Sequence, residues 1–145
     1  RQRQMCIRDS DKRQQWLRET LDKEQKNKIY IFMHHNPLAT GHINSDNIGL
    51  VQREDLKKIL LQYQNSIQHI FFGHQHVTSS GKYLDITFSS PRSTWSPLVP
   101  NFLDRYRLGT ANTDPNYNIV LLEEDSLIVH SEDFLKTDVN WFTDN

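Results

Sequence analysis

Three observations predict an α/β fold. A short β-rich run at 28–33 precedes an amphipathic stretch at 52–63, and a second apolar run follows at 68–72. Strand, helix and strand in that order are the parts of a right-handed parallel crossover. Both apolar runs end in histidine, "YIFMHH" and "HIFFGHQH". That placement matters because ligand sites of open α/β sheets lie beyond the carboxyl ends of the strands.

Each element has its own signature. Residues 11–25 predict a helix, with Trp16, Leu17 and Leu21 at helical spacing and charge on the other faces. "KIYIFM" at 28–33 and "QHIFF" at 68–72 are continuous apolar runs, expected as strands buried on both faces. Pro37, Gly41, Asn44, Asp46 and Gly49 mark residues 36–50 as a loop. Leu56, Ile59, Leu60 and Tyr63 give 52–63 an apolar helical face. Strand-like runs follow at 83–89, 117–123 and 126–131, the last two forming a hairpin around Glu124 and Asp125. Between them, residues 90–116 carry Pro91, Pro97, Pro100 and Pro115, and so long a loop in a compact domain is usually functional.

Composition narrows the function. The 145 residues suit one domain, with 36% apolar and 24% charged side chains. Seventeen basic against 18 acidic residues leave no electrostatic footprint for nucleic acid. No apolar run approaches the ~18 residues of a membrane span. The single cysteine, Cys6, has no internal disulfide partner, in keeping with a reducing compartment. Residues 1–10, "RQRQMCIRDS", lack apolar period and turn chemistry and read as an adapter-derived artefact, disordered and outside the fold. The natural chain is then expected to begin further upstream. A cytoplasmic, bacterial-type location is the accompanying expectation.

The histidines are the candidates for chemistry. Adjacent parallel strands would bring His34, His74 and His76 to one rim. In an extended segment alternate residues point the same way, so His74 and His76 would converge while Gln75 points elsewhere. Gly73 would permit the turn that precedes them. Neutral imidazole is the commonest side-chain metal ligand, so the set suits a metal ion. His42, His69 and His130, taken singly, are expected to be hydrogen-bonded residues without a ligand role.

"FMHHNPL" followed by "FFGHQH" resembles the last two motifs of the calcineurin-like metallophosphoesterases. "GHINSDNIGL", "SGKYLDITFSSPRST" and "TDPNYNIVLLEEDSLIVHSEDF" resemble the branch of class III cyclic-nucleotide phosphodiesterases and bacterial glycerophosphodiesterase. The resemblance implies residues 11–135 as the C-terminal part of a four-layer α/β/β/α sandwich, with 136–145 a tail. It implies two divalent metal ions (Mn, Fe or Zn), with His34, His74 and His76 as ligands. His35 would lie behind the ligands or face substrate, and Thr94, Trp95 and Ser96 would approach a small phosphodiester. Asn36 stands where the family has proline.

The family's earlier motifs, Asp-x-His, Gly-Asp and Gly-Asn-His, do not occur in residues 1–33. The expectation is therefore a fragment of a phosphodiester hydrolase that binds at most one metal weakly and is inactive alone. Apolar surface at Ile31, Phe71 and Phe72 would then be left exposed. Loop 90–116, with Trp95, Phe102, Tyr106 and Arg107, would shape the pocket entrance or a homo-oligomer contact. Two other readings stand beside it: a non-catalytic protein-interaction module on the same fold, and a mononuclear histidine site in an unrelated α/β protein.

Overall fold

A computed structural model describes residues 11–104, 106–110 and 112–134. The artefact and the tail expected at 1–10 and 136–145 lie outside them. Helix α1 (Asp11–Glu24) leads into strand β1 (Ile29–Met33), a short helix α2 (Ile43–Asn47) and helix α3 (Arg53–Tyr63). Strands β2 (Ile67–Phe72), β3 (Ser79–Tyr83) and β4 (Ile86–Ser90) follow, then β5 (Asn116–Leu122) and β6 (Leu127–Asp133). The fold is α/β, as the element order predicts.

The first four strands form one sheet in the order β1-β2-β4-β3. β1 and β4 both run parallel to β2, and β3 runs antiparallel to β4. β2 is central and almost wholly buried. Strand alternation sends Ile70 and Phe72 to one face and His69 and Phe71 to the other. Ile70 and Phe72 join Ile86 and Phe88 in a core with Leu21 of α1 and Leu56, Ile59, Leu60 and Tyr63 of α3. The Tyr63 hydroxyl donates to Asp22 Oδ1 at 2.5 Å and fastens the two helices together. On the opposite face His69 is satisfied on both nitrogens, by Thr87 Oγ1 at 2.7 Å and Ser89 Oγ at 2.9 Å. Trp16, placed at helical spacing with the core residues of α1, is instead exposed.

Four expectations change. β1 is only partly covered rather than buried on both faces: it borders the sheet among the described residues, and Phe32 is 74% exposed. Phe72 is buried in the helix-facing core, Phe71 is buried on the opposite face beside Phe32 and His69, and Ile31 packs partly against the core. The exposed apolar residue is Phe32, stacked on Phe71 at 4.6 Å. The run 83–89 is not one strand. Leu84 and Asp85 have φ of 54° and 63°, so a two-residue turn joins β3 to β4 with Tyr83 opposite Ile86. Such turns need positive φ at both central positions and usually carry Asn or Gly, which is why Leu-Asp gives no sequence signal. The last change is α2, whose sequence INSDN has no apolar period and lies inside the expected loop.

β5 and β6 form a separate two-stranded antiparallel sheet, closing around Glu124 and Asp125 as expected. The Lys28 ammonium donates to the Glu124 carbonyl at the tip of the hairpin. At its base Arg92 pairs with Asp133, and the Arg92 amide donates to Asn116 Oδ1 at 2.7 Å. The described residues thus comprise helices α1 and α3 on one face of a four-stranded sheet, and a separate two-stranded sheet.

Candidate metal centre

β1 and β2 are parallel neighbours, so their carboxyl ends fall on one rim. The register pairs Met33 with Phe72, the residues that end the two strands. His34 and His35 leave β1 there, and Gly73, His74, Gln75 and His76 leave β2. The Gly73 amide donates to the His34 carbonyl at 3.1 Å, which joins the two segments.

The structure gathers His34, His35 and His74: one ring nitrogen from each lies within 4.8 Å of the others. The ring centroids of His35 and His74 are 4.4 Å apart, and those of His34 and His74 5.3 Å. Nitrogens sharing one tetrahedral ion at ~2.0–2.1 Å would sit roughly 3.4 Å apart, so the rings must close by up to about 1.4 Å to bind. His74 Nε2 is buried and has no hydrogen-bond partner. A buried nitrogen left unpaired costs about 1–3 kcal/mol. A metal ion would use that lone pair, so the donor set fits one. No carboxylate joins these three donors among the described residues.

The electrostatics favour neutral rings. Burial, then the neighbouring His35 and His34, push the His74 pKa down to about 4, against a smaller raising effect of the Ile48 backbone. Burial and the His34 charge also lower His35. Both rings are therefore in the form that binds metal at neutral pH, since a protonated imidazole has no free lone pair.

His76 is outside the three-histidine group. Its Nδ1 lies 2.8 Å from the Ser96 carbonyl, and its own carbonyl accepts from the Leu98 amide at 3.0 Å. An Nδ1–H donated to a backbone carbonyl leaves Nε2 as the nitrogen with a lone pair, the usual preparation of a metal-binding histidine. His74 and His76 are not in extended backbone. Their φ values are 67° and 56°, in the left-handed region that bulky residues rarely occupy. Gly73, expected to supply the unusual turn, is not among the positive-φ residues, and a Cβ there would meet only His34 atoms at 3.8–3.9 Å. The strain falls on the histidines instead, a pattern that concentrates at functional sites.

Of the other candidates, Ser96 reaches His76 through its carbonyl. Thr94 is exposed, and Trp95 is 89% exposed. The amides of Trp95 and Ser96 both donate to Ser93 Oγ, at 3.1 and 3.0 Å, which shapes this turn. Phe102 and Tyr106 are also exposed rather than anchored in a core. Three polar residues without a sequence signal for burial lie behind the site. Asn36 and Gln75 are fully buried, and Gln75 Nε2 donates to Thr40 Oγ1. His42 is buried against Ser45 Oγ at 2.8 Å.

Residues 3–78, just over half the chain, match the family model described as calcineurin-like phosphoesterase. The match begins inside residues 1–10 and so does not set that stretch apart. The structure is also similar to a dimetal phosphatase from Danio rerio, with a TM-score of 0.57 and 17% sequence identity. That similarity covers 88% of this chain and 36% of the other, and at such identity it establishes a shared fold. No curated protein matches the sequence. The family match and the histidine pair of loops agree, and the chain belongs to the calcineurin-like phosphoesterase family.

Proposed function

We propose that this chain carries part of the metal centre of a phosphodiester hydrolase, in the branch of class III cyclic-nucleotide phosphodiesterases and bacterial glycerophosphodiesterase. One observation carries the reading: three imidazoles converge at the carboxyl ends of two parallel strands, one with a buried, unpartnered nitrogen. The family match supports phosphoester chemistry, and the stretches at 41–50, 80–94 and 113–134 support the branch.

His34, His35 and His74 would hold one divalent ion, and His76, aligned by Ser96, would serve a second. When bound, divalent ions of this kind supply Lewis-acid polarisation of the phosphoryl group and an acidified water. The chain's own part is to present neutral rings on strand ends and to keep their orientation. Trp95 and Thr94 stand exposed on the loop that supplies the Ser96 carbonyl, where a small phosphodiester could be flanked. These four neutral rings bring no negative charge, and without a carboxylate they cannot offset the repulsion between two dications. This chain alone therefore takes up at most one ion, weakly, and turns over essentially nothing.

Titration with Mn²⁺, Zn²⁺ or Fe²⁺ tests the centre, read by histidine ring resonances. His34→Ala and His74→Ala should each abolish the response, and His130→Ala, on exposed β6, should not. Absence of any response in the unsubstituted chain refutes the centre. Rapid hydrolysis of bis(p-nitrophenyl) phosphate by the chain with added Mn²⁺ refutes its inactivity. Exposed Trp95, Phe102 and Tyr106 favour a second reading, a protein-interaction module. It predicts a chain whose rings ignore metal.

A further inference from the structure

The segment between β1 and α3 is bound more closely than a surface connection requires. Asn36 directly follows His35 and is fully buried. Its Nδ2 donates to the Leu38 carbonyl at 2.6 Å and to Asp46 Oδ1 at 3.1 Å. The Asp46 carboxylate also accepts the Thr40 amide at 3.0 Å and the Gly41 amide at 2.9 Å. Arg53, in the first turn of α3, donates to the Asp46 carbonyl at 3.0 Å and lies 3.7 Å from its carboxylate. Both side chains of that pair are largely buried, 14% and 22% exposed. Gly49 lies against the same group: a Cβ there would collide with the Arg53 guanidinium and come within 3.3 Å of Asn36 Oδ1. Ile48, immediately before Gly49, makes a backbone hydrogen bond with the His74 ring.

Asp46 therefore joins two chain points that each adjoin a histidine of the cluster, one through its side chain and one along its own backbone. One is Asn36, bonded to His35 through the chain. The other is the Ile48 backbone, two residues after Asp46 and facing His74. A loop clamped at only one of these points would let the two rings drift independently. This matters because the ring nitrogens stand at the outer limit of a shared ion.

We propose that Asp46 is a positioning residue for the histidine cluster, holding His35 and His74 in register through Asn36 and the Ile48 backbone. The inference rests on the metal-centre reading for its purpose but not for its geometry. It has two experimental arms on the full chain. In metal-free protein, Asp46→Asn should move the ring resonances of His35 and His74 and leave that of buried His69 in place. With Co²⁺ as probe, Asp46→Asn should lose affinity by about tenfold or more, the range seen when groups orienting metal ligands are removed. Ile59→Val, in the core away from the loop, lowers the melting temperature without touching this network. It should keep both the resonances and the affinity.

Unmoved His35 and His74 resonances in Asp46→Asn overturn the proposal. So do equal shifts in Ile59→Val, because the effect would then be general loosening. If the unsubstituted chain binds no Co²⁺, the metal-centre reading fails, while the metal-free arm still decides the role of Asp46.

Discussion

Replacing His74 separates its cost to folding from its use. The residue carries two penalties in the metal-free chain. Its φ of 67° places an L side chain in the left-handed region, worth about 1–2 kcal/mol. Its buried, unpartnered Nε2 adds about 1–3 kcal/mol. Against these stands the packing of a half-buried ring, roughly 1–2 kcal/mol. His74→Ala keeps the backbone strain and loses the ring, so it should unfold within about 1 kcal/mol of the unsubstituted chain. His74→Gly also removes the strain and should be more stable than His74→Ala by about 1 kcal/mol. Urea unfolding with and without Zn²⁺ is the assay. The unsubstituted chain should gain roughly 1.4 kcal/mol at ten times its Kd, and both variants should gain none. Destabilisation of His74→Gly by more than about 2 kcal/mol without metal would refute the reasoning, because the ring would then be a packing element. Equal stability of the Gly and Ala variants would refute the left-handed backbone.

Further outcomes follow from the same geometry. His35, His42, His69 and His74 all have pKa values lowered below 6.5, chiefly by burial. Their folded forms bind protons less readily than the unfolded chain, so the stability they contribute is complete above about pH 6.5 and lost as pH falls toward each folded value, about 4 for His74. Urea midpoints should therefore fall between pH 7 and 4, and a rise over that window would contradict the burial of these rings. Ile70→Ala, at a fully buried site on the central strand, should cost about 2–5 kcal/mol by chemical denaturation. A cost below 1 kcal/mol would show that β2 is not in the core. Gly49→Ala should displace the Arg53 guanidinium and destabilise by about 1 kcal/mol, and the loss should shrink in an Arg53→Met background. Additive losses in that double-mutant cycle would mean that the two residues do not meet.

Helices α1 and α3 were legible because their apolar residues recur at helical spacing, and β1 and β2 because each is a short continuous apolar run. Leu56, Ile59, Leu60 and Tyr63 line one face of α3, and all four are buried. His34 and His74 were legible as rim residues because each follows an apolar run. His35 as a donor was not, because alternation stops where β1 ends, and two successive side chains can then turn to one side. The reversal at His74 and His76 was hidden for a related reason. Residue type marks positive φ only when it is glycine or asparagine, and here imidazoles bear it. Asn36, Asp46 and Gln75 look like surface loop residues by composition. Their burial follows from hydrogen bonds to partners 10 and 35 positions away, which no local window contains.

The position of β1 at the sheet border has a consequence for ion uptake. One flank of β1 is hydrogen-bonded to β2, and the other has no strand beside it among the described residues. Border strands exchange amide hydrogens sooner and breathe more freely than central ones. His74 follows a strand bonded on both flanks, whereas His34 and His35 follow one bonded on a single flank among the described residues. The contraction needed to grip a cation thus falls mainly on the β1 side, and whatever stiffens that margin would tune how tightly the ion is gripped.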